Sequence, residues 1–366
     1  MKKQYIIPIF VPHKGCPNDC TFCNQKKISG QVKPMTPKLA QKEIDKYLEM
    51  NNPESKQDIE IAFFGGSFTA IGIEEQEALL KVAYEYIKAK KVKSIRVSTR
   101  PDCIDKKELK LLKKYKVKTI ELGVQSADDY ILRACKRGHT FEDVKKASRM
   151  IRWHRFRLGH QMMVGLPEST ALDEYKTAVK LAKLKPKIMR IYPVLVIRGT
   201  ELEKQMLDGE YEPLTVEQAV ERTKDLVKFF EKKKIQVIRI GLQTTDTICE
   251  PTKKGSEVVA GPYHECFRQL VDSSIYYDKI VDRIKKVNAK VKEIQVTANS
   301  GTINNIVGYK HQNIERLKEF YDVNLSVVID SNYEDGKMDM KVTREFKDFI
   351  DEDETKISKK NNKKLK

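Results

Sequence analysis

Residues 5–199 alternate six times between a short β-rich run and a longer amphipathic stretch, and no other feature of the chain restricts its fold so strongly. The runs are YIIPIFVP (5–12), IEIAFFGG (59–66), SIRVSTR (94–100), KTIELGVQS (118–126), RLGHQMMVGLP (157–167) and IMRIYPVLVI (188–197). Helical periodicity fills the gaps near 36–50, 74–90, 105–115, 141–153 and 170–184. Start signals stand at Thr36 before Pro37 and at Thr140, with Asp143 three residues on. Strand and helix taking turns predict a parallel sheet with right-handed crossovers. Six units where a closed barrel has about eight predict an open one, so the fold class is α/β, a partial (β/α)6 TIM-like barrel. Chemistry in such a fold gathers where strands end and helices begin. That points to Gly65, Gly66 and Ser67, to Ser98 through Asp102, to Gln125 and Ser126, and to Gly165 and Pro167.

Beyond this core, TVEQAVERTKDLVKFFEKK is the clearest amphipathic helix of 200–285, and IQVIRIGLQ reads as a strand able to extend the sheet. Residues 286–350 resume an α+β pattern, a smaller C-terminal extension. DEDE (351–354) then precedes KISKKNNKKLK, which holds six lysines in eleven residues and no acid and reads as a disordered tail. The expected division is 1–200 for the barrel core, 201–285 for its completion, 286–350 for the appendage and 351–366 for the tail.

Seventy basic residues against 52 acidic ones give a net charge of +18, which suits a polyanionic partner such as RNA. Only 16 of the 70 are arginine, however, and lysines spread over helices mostly make solvated faces. No apolar run approaches the ~18 residues of a membrane span. MKKQYIIPIFVP has a short, proline-interrupted apolar run without a small-residue cleavage site, so it reads as a first strand rather than an export signal. The expected compartment is the reducing cytoplasm.

Seven cysteines, odd in number and unevenly spaced, are no disulfide framework. Three of them, Cys16, Cys20 and Cys23, crowd into VPHKGCPNDCTFCNQKKISG (11–30) with the spacing CxxxCxxC. A structural zinc ion takes four ligands, and no second CxxC or finger-like histidine pair follows, so zinc would have to recruit His13. Iron–sulfur cubanes are held by thiolates, and three of these leave one iron open to a ligand that is not protein. Cys103, Cys135, Cys249 and Cys266 are isolated, as small buried hydrophobes are, with Cys103 nearest a strand end.

CxxxCxxC with the aromatic Phe22 before its last cysteine, following the first strand of such an alternation, resembles the signature of radical S-adenosylmethionine (SAM) enzymes. The resemblance implies a [4Fe-4S] cluster on Cys16, Cys20 and Cys23 whose open iron chelates the amino and carboxylate groups of SAM. It implies cleavage of the sulfonium bond to a 5′-deoxyadenosyl radical, and an electron donor of flavodoxin or ferredoxin type. It also implies SAM contacts at Gly65, Gly66 and Ser67 of FFGGSF, where glycine lets backbone carbonyls approach an ammonium. Ser98 and Arg100 of VSTRPD fall where ribose or the methionine carboxylate would sit. Arg100 can bind two carboxylate oxygens at once, or can form a structural ion pair instead. Gln125 of GVQS ends the fourth strand, and Gly165 of VGLPE falls beside the adenine.

STRPD, ELGVQS, KRGHT (136–140), VGLP and RIYPVLVIRGTELEKQMLDGEYEPLT (190–215) are similar to a narrower group, the radical-SAM catalytic subunit of Elongator and its shorter bacterial relatives, over roughly residues 5–250. This likeness implies modification of carbon 5 of the wobble uridine in tRNA, using SAM and acetyl-CoA. The first two cysteines stand closer together than in Elongator subunits, and too few residues follow 285 for an acetyltransferase domain. Either another protein supplies the acetyl-CoA half, or the substrate differs.

Two further segments bear on RNA. KEIQVTANSGTINNIVGYKHQNIERLKEFYDVNLSVVID (292–330) reads strand, helix, tight loop, helix, strand, the order of a KH module and equally of a purely structural βααβ appendage. Its GYKH loop keeps Gly308 and Lys310 but has His311 in place of the second glycine. SRMIRWHRFRLGH (148–160) interleaves Arg149, Arg152, Arg155 and Arg157 with Trp153. The arginines suit either phosphates or a helix C-terminus, and Trp153 reads as core. The leading expectation is a radical SAM enzyme acting on a tRNA base. Its alternatives are a radical SAM enzyme with a small-molecule substrate and a non-enzymatic iron–sulfur protein that binds RNA.

Overall fold

A charge or a proline inside a strand is costly unless the strand's position makes room for it, and both occur here. The computed structural model describes residues 4–11, 20–24, 27–28, 34–50, 58–287 and 290–346. Its elements run β1 (Gln4–Val11), α1 (Pro37–Met50), β2 (Asp58–Gly65), α2 (Ile73–Lys88), β3 (Ser94–Thr99), α3 (Lys106–Lys114), β4 (Val117–Gln125), α4 (Asp129–Ala134), α5 (Phe141–Trp153), β5 (Arg157–Val164), α6 (Ala171–Lys183) and β6 (Ile188–Pro193). There follow β7 (Val196–Ile197), α7 (Glu201–Leu207), α8 (Val216–Lys232), β8 (Gln236–Ile240), β9 (Val258–Ala260), α9 (Phe267–Lys285), β10 (Lys290–Ala298), α10 (Ser300–Val307), α11 (Gln312–Tyr321), β11 (Asn324–Ile329) and β12 (Met338–Phe346).

Seven strands form one parallel sheet in the order β1-β2-β3-β4-β5-β6-β8, the open α/β barrel expected from the alternation. Pro8 lies in β1, an edge strand, where its missing N–H costs no ladder bond to a second neighbour. Ile7, Ile9 and Val11 of that strand are buried, while Ile6, Pro8 and Phe10 face a cavity that also receives residues of β8 at the opposite edge. The sheet is therefore curled into a half-barrel. The run at 188–197 divides: β6 stays in the sheet, but β7 leaves it to pair antiparallel with β9.

Side-chain caps set the helix starts. Thr140 and Asp143 form the expected capping box on α5, and Thr170 with Asp173 and Thr215 with Gln218 repeat it on α6 and α8. On α5 the buried stripe is Val144, Ala147, Ser148 and Ile151. Trp153 falls off that stripe and is 83% exposed, so the expectation that it belongs to the core is corrected.

Residues up to Arg268 form one compact unit and those from Gln269 a second. In the second, β10 lies between parallel β11 and antiparallel β12, and Ile294, Val296, Ile306 and Leu317 close its core. Strand, helix, loop, helix and strand follow in the order read from 292–330, and Lys310 and His311 are both left-handed in the loop. The expected 351–366 tail lies outside the described residues. Among the described residues no helix is long and apolar enough to cross a membrane.

Candidate active site

The cysteine segment after β1 is anchored from both sides. Cys23 N–H donates to the Cys20 carbonyl at 3.0 Å, which closes a tight turn. Thr21 N–H reaches the Cys135 carbonyl at 3.2 Å, and Leu202 N–H at the start of α7 reaches the Thr21 carbonyl at 2.8 Å. Cys20 and Phe22 are buried in an apolar cluster with Ile131, Cys135, Leu166, Val194, Val196 and Leu202. The aromatic before the last cysteine is thus the hydrophobic peg of the turn. Arg137, buried after α4, brings Nη1 to 3.2 Å from Cys20 Sγ and Nη2 to 2.7 Å from the Gly123 carbonyl. Burial pushes the neighbouring Cys135 thiol up to about 12, with Cys20 adding to the shift, so Cys135 stays a neutral, small apolar residue. Cys16 and His13 lie outside the described residues. Among the described residues no group of three or more His, Cys, Asp or Glu could hold a metal ion.

Cys20, Cys23, Gly65, Gly66, Ser98, Arg100 and Gln125 line one cavity of about 790 Å³. At Gly65, φ is +111° and an added Cβ would stand 2.5 Å from the Val11 carbonyl oxygen, so only glycine lets β2 end against β1 in this way. Gln125 leaves β4 at φ +71°, a conformation disfavoured for a side-chain-bearing residue, and Gln161 Nε2 holds its Oε1 at 3.2 Å.

Ser67 and Gly165 do not line the cavity. The Ser67 hydroxyl is within 2.7 Å of Thr99 Oγ1 and accepts from Arg100 N–H at 3.1 Å, tying the β2 turn to the end of β3. Gly165, at φ +82°, donates its N–H to Glu174 at 2.7 Å and accepts from the Tyr211 hydroxyl at 2.8 Å. Arg100 grips Asp102 with both ends of its fork, at 3.0 and 2.9 Å, and donates to the Arg137 carbonyl at 2.6 Å. Its guanidinium therefore forms the structural ion pair.

The cavity's inner wall carries a chain of opposite charges that crosses the sheet. Arg96 on β3 pairs with Glu60 on β2 and Glu121 on β4, and Glu121 in turn binds Arg190 on β6 at 2.5 Å. Glu60, Arg96, Glu121 and Arg190 are all buried. Burial works to raise the Glu121 carboxyl, but Arg190 and Arg96 overcome it and hold that group below the usual carboxylate range. Arg239 on β8 continues the row beside Arg190.

The Radical SAM superfamily model matches residues 10–182, and the radical-SAM C-terminal domain matches residues 186–277. The chain belongs to the radical SAM superfamily. It is 29% identical over 256 residues to the tRNA uridine(34) acetyltransferase of Methanocaldococcus jannaschii, a match covering 59% of this chain and 47% of that one. To Elongator complex protein 3 of Homo sapiens it is 26% identical over 187 residues, covering 46% of this chain and 34% of that one. The chain thus spans about half the length of the archaeal relative it matches, or less of the human one. The solved structure of Methanocaldococcus infernus Elp3 with an N-terminal deletion superposes with a TM-score of 0.58 at 24% identity, over 78% of this chain and 65% of that one, and shares the fold.

The residues present fit the cluster that this superfamily implies. Two thiols open from one tight turn onto a cavity, and a buried guanidinium at 3.2 Å from the Cys20 sulfur supplies the countercharge that a thiolate donor needs. Arg96, Glu121, Arg190 and Arg239 lie inside strands and Arg137 follows a helix, away from the strand ends where the sequence pattern points to chemistry. A signal for four of them was present, since IRV, IEL, MRI and IRI each set one charge within an apolar strand. Both faces of a parallel strand are usually covered, so a charge at such a place marks a polar interior.

Proposed function

We propose that this radical SAM chain holds a [4Fe-4S] cluster on Cys16, Cys20 and Cys23, binds SAM beside it, and modifies a base of tRNA, a wobble uridine or a position like it. When bound, the cluster supplies the electron that splits SAM to a 5′-deoxyadenosyl radical. The observation that carries the reading is the convergence of Cys20, Cys23 and the Gly65–Gly66 turn on one 790 Å³ cavity, roomy enough for a nucleoside-sized ligand.

The chain's own residues have separate tasks in this reading. The Phe22 peg and Arg137 hold the cysteine turn. Gly65 and Gly66 present backbone to the SAM ammonium, and Ser98 and Gln125 offer polar groups to its remaining oxygens. Support for an RNA substrate comes from the names of the relatives and from the exposed Trp153 among exposed Arg149, Arg152 and Arg155, a surface suited to stacking and phosphate contact.

The test is anaerobic reconstitution of the full chain, followed by reduction and addition of SAM with and without unmodified tRNA. The reading expects an electron paramagnetic resonance signal that changes when SAM is added, and 5′-deoxyadenosine whose yield rises with tRNA. A zinc ion at the thiols, or a cubane indifferent to SAM, would overturn it.

A further inference from the structure

Arg190 and Arg239 are register partners on β6 and β8, and both line the cavity. Their surroundings differ. Arg190 is neutralised by Glu121, with Nε at 2.5 Å and Nη2 at 3.4 Å, and its Nη1 reaches the Tyr192 hydroxyl at 3.1 Å. Arg239 has no carboxylate partner among the described residues. Its Nε donates to the Gly241 carbonyl at 3.1 Å, and the ionisable groups acting on it are Tyr192 and Arg190. Burial, helped by the like charge of Arg190 and opposed by Tyr192, holds Arg239 below the usual guanidinium range.

A half-buried guanidinium beside a second one, with no acid of its own, has an unmet need for an anion. Tyr192 adds to it: its oxygen already accepts from Arg190, so its proton is left to donate. A base that reacts inside a protein cavity enters still joined to its phosphodiester, which gives such a wall something to hold.

We propose that Arg239, with the Tyr192 hydroxyl, is a subsite for a phosphate group of the substrate, separate from the residues that take SAM. The inference rests on the radical reading above and adds the part of the substrate that β8 grips. The phosphate has two sources, the backbone of the RNA or the phosphates of a nucleotide co-substrate such as a coenzyme A thioester.

The anaerobically reconstituted full chain and its Arg239→Gln and Tyr192→Phe variants are titrated with a tRNA anticodon stem–loop and, separately, with coenzyme A. Arg239→Gln is expected to weaken at least one of these probes by ~10- to 100-fold, and Tyr192→Phe to weaken the same probe by less. Loss confined to the stem–loop assigns an RNA phosphate, and loss confined to coenzyme A assigns a nucleotide co-substrate. Unchanged affinity in both arms overturns the proposal. So does an equal loss of SAM affinity, because Arg239 would then serve SAM. Tyr192→Phe decides the matter alone should Arg239→Gln fail to fold. If the radical reading were wrong, no sample would form 5′-deoxyadenosine, whereas the affinity differences would persist.

Discussion

The Arg137 guanidinium bridges the Cys20 sulfur, at 3.2 Å, to the carbonyl of Gly123 in β4, at 2.7 Å. It joins the loop that carries the thiols to the rigid sheet, and it sets a positive charge against one of those thiols. Hydrogen bonds to ligating sulfur tune a cluster's potential, and a cation favours its reduced, more negative form. Arg137→Ala is therefore expected to lower the reduction potential of the reconstituted cluster and to lower the iron retained per chain, with Arg137→Lys in between. Potentiometric titration followed by electron paramagnetic resonance reads the first, and iron analysis the second. An unaltered potential in a folded variant would show that Arg137 acts only on the loop.

Glu121 stands between two arginines, and that arrangement fixes a stability prediction. Glu121→Gln leaves the Arg96 and Arg190 guanidiniums buried beside a neutral amide. Removing one partner of a buried ionic group costs roughly 3–5 kcal/mol. Urea denaturation is expected to show a loss of that order, against well under 1 kcal/mol for removing an exposed ion pair such as Lys88–Glu85. A loss as small as the surface control's would mean that the charge chain is not closed in solution.

The contrast between strand ends and strand interiors explains what could be read from the sequence. Gly65, Gly66, Ser98, Arg100 and Gln125 were nameable because periodicity alone locates the ends of parallel strands, where ligands collect. Ser67 and Gly165 sit at such ends too, yet a one-residue step or a left-handed turn aims them elsewhere, and periodicity does not carry that detail. Arg239 and Arg190 lie mid-strand, and a sequence does not say which face of a parallel strand looks into an open barrel. Trp153 illustrates the reverse limit: a large aromatic in the last turn of a helix reads as core, and only the phase of the α5 stripe shows that it points outward.

Glu174 supplies a pH signature. Its Oε1 accepts from Gly165 N–H at 2.7 Å and from Arg222 at 3.2 Å, while Oε2 is buried without a hydrogen-bond partner. Burial pushes this carboxyl up to about 7 against both of those contacts. The folded chain therefore holds the Glu174 proton in a range where the unfolded chain, near an ordinary ~4.3, has released it. Its contribution is intact below that lower value and declines by roughly 3 kcal/mol as pH rises toward 7. Burial holds His160 near 3, and that acts oppositely, because the neutral ring favours the fold and stability falls as pH drops below an ordinary ~6.5. Because the two contributions offset each other in the unsubstituted chain, Glu174→Gln is expected to leave that of His160 unopposed and to lower the denaturation midpoint at pH 5 relative to that at pH 8. Equal pH slopes in the two would remove Glu174 as the source.

Trp153 tests the RNA partner apart from the chemistry. At 83% exposure its ring contributes almost nothing to the core, so Trp153→Ala is expected to leave the denaturation midpoint nearly unchanged. If bases stack on it, the same change weakens tRNA binding by about 1–3 kcal/mol, whatever the nucleotide sequence. Arg149 and Arg155 are exposed beside it and would act on phosphates rather than on bases. Replacing either with alanine is expected to make the plot of log affinity against log salt shallower by about 0.7–0.9, the share of one released counterion. The two signatures separate stacking from charge, since Trp153→Ala lowers affinity without altering the slope. A Trp153→Ala chain that binds tRNA as tightly as its parent would leave the ring with no role in recognition.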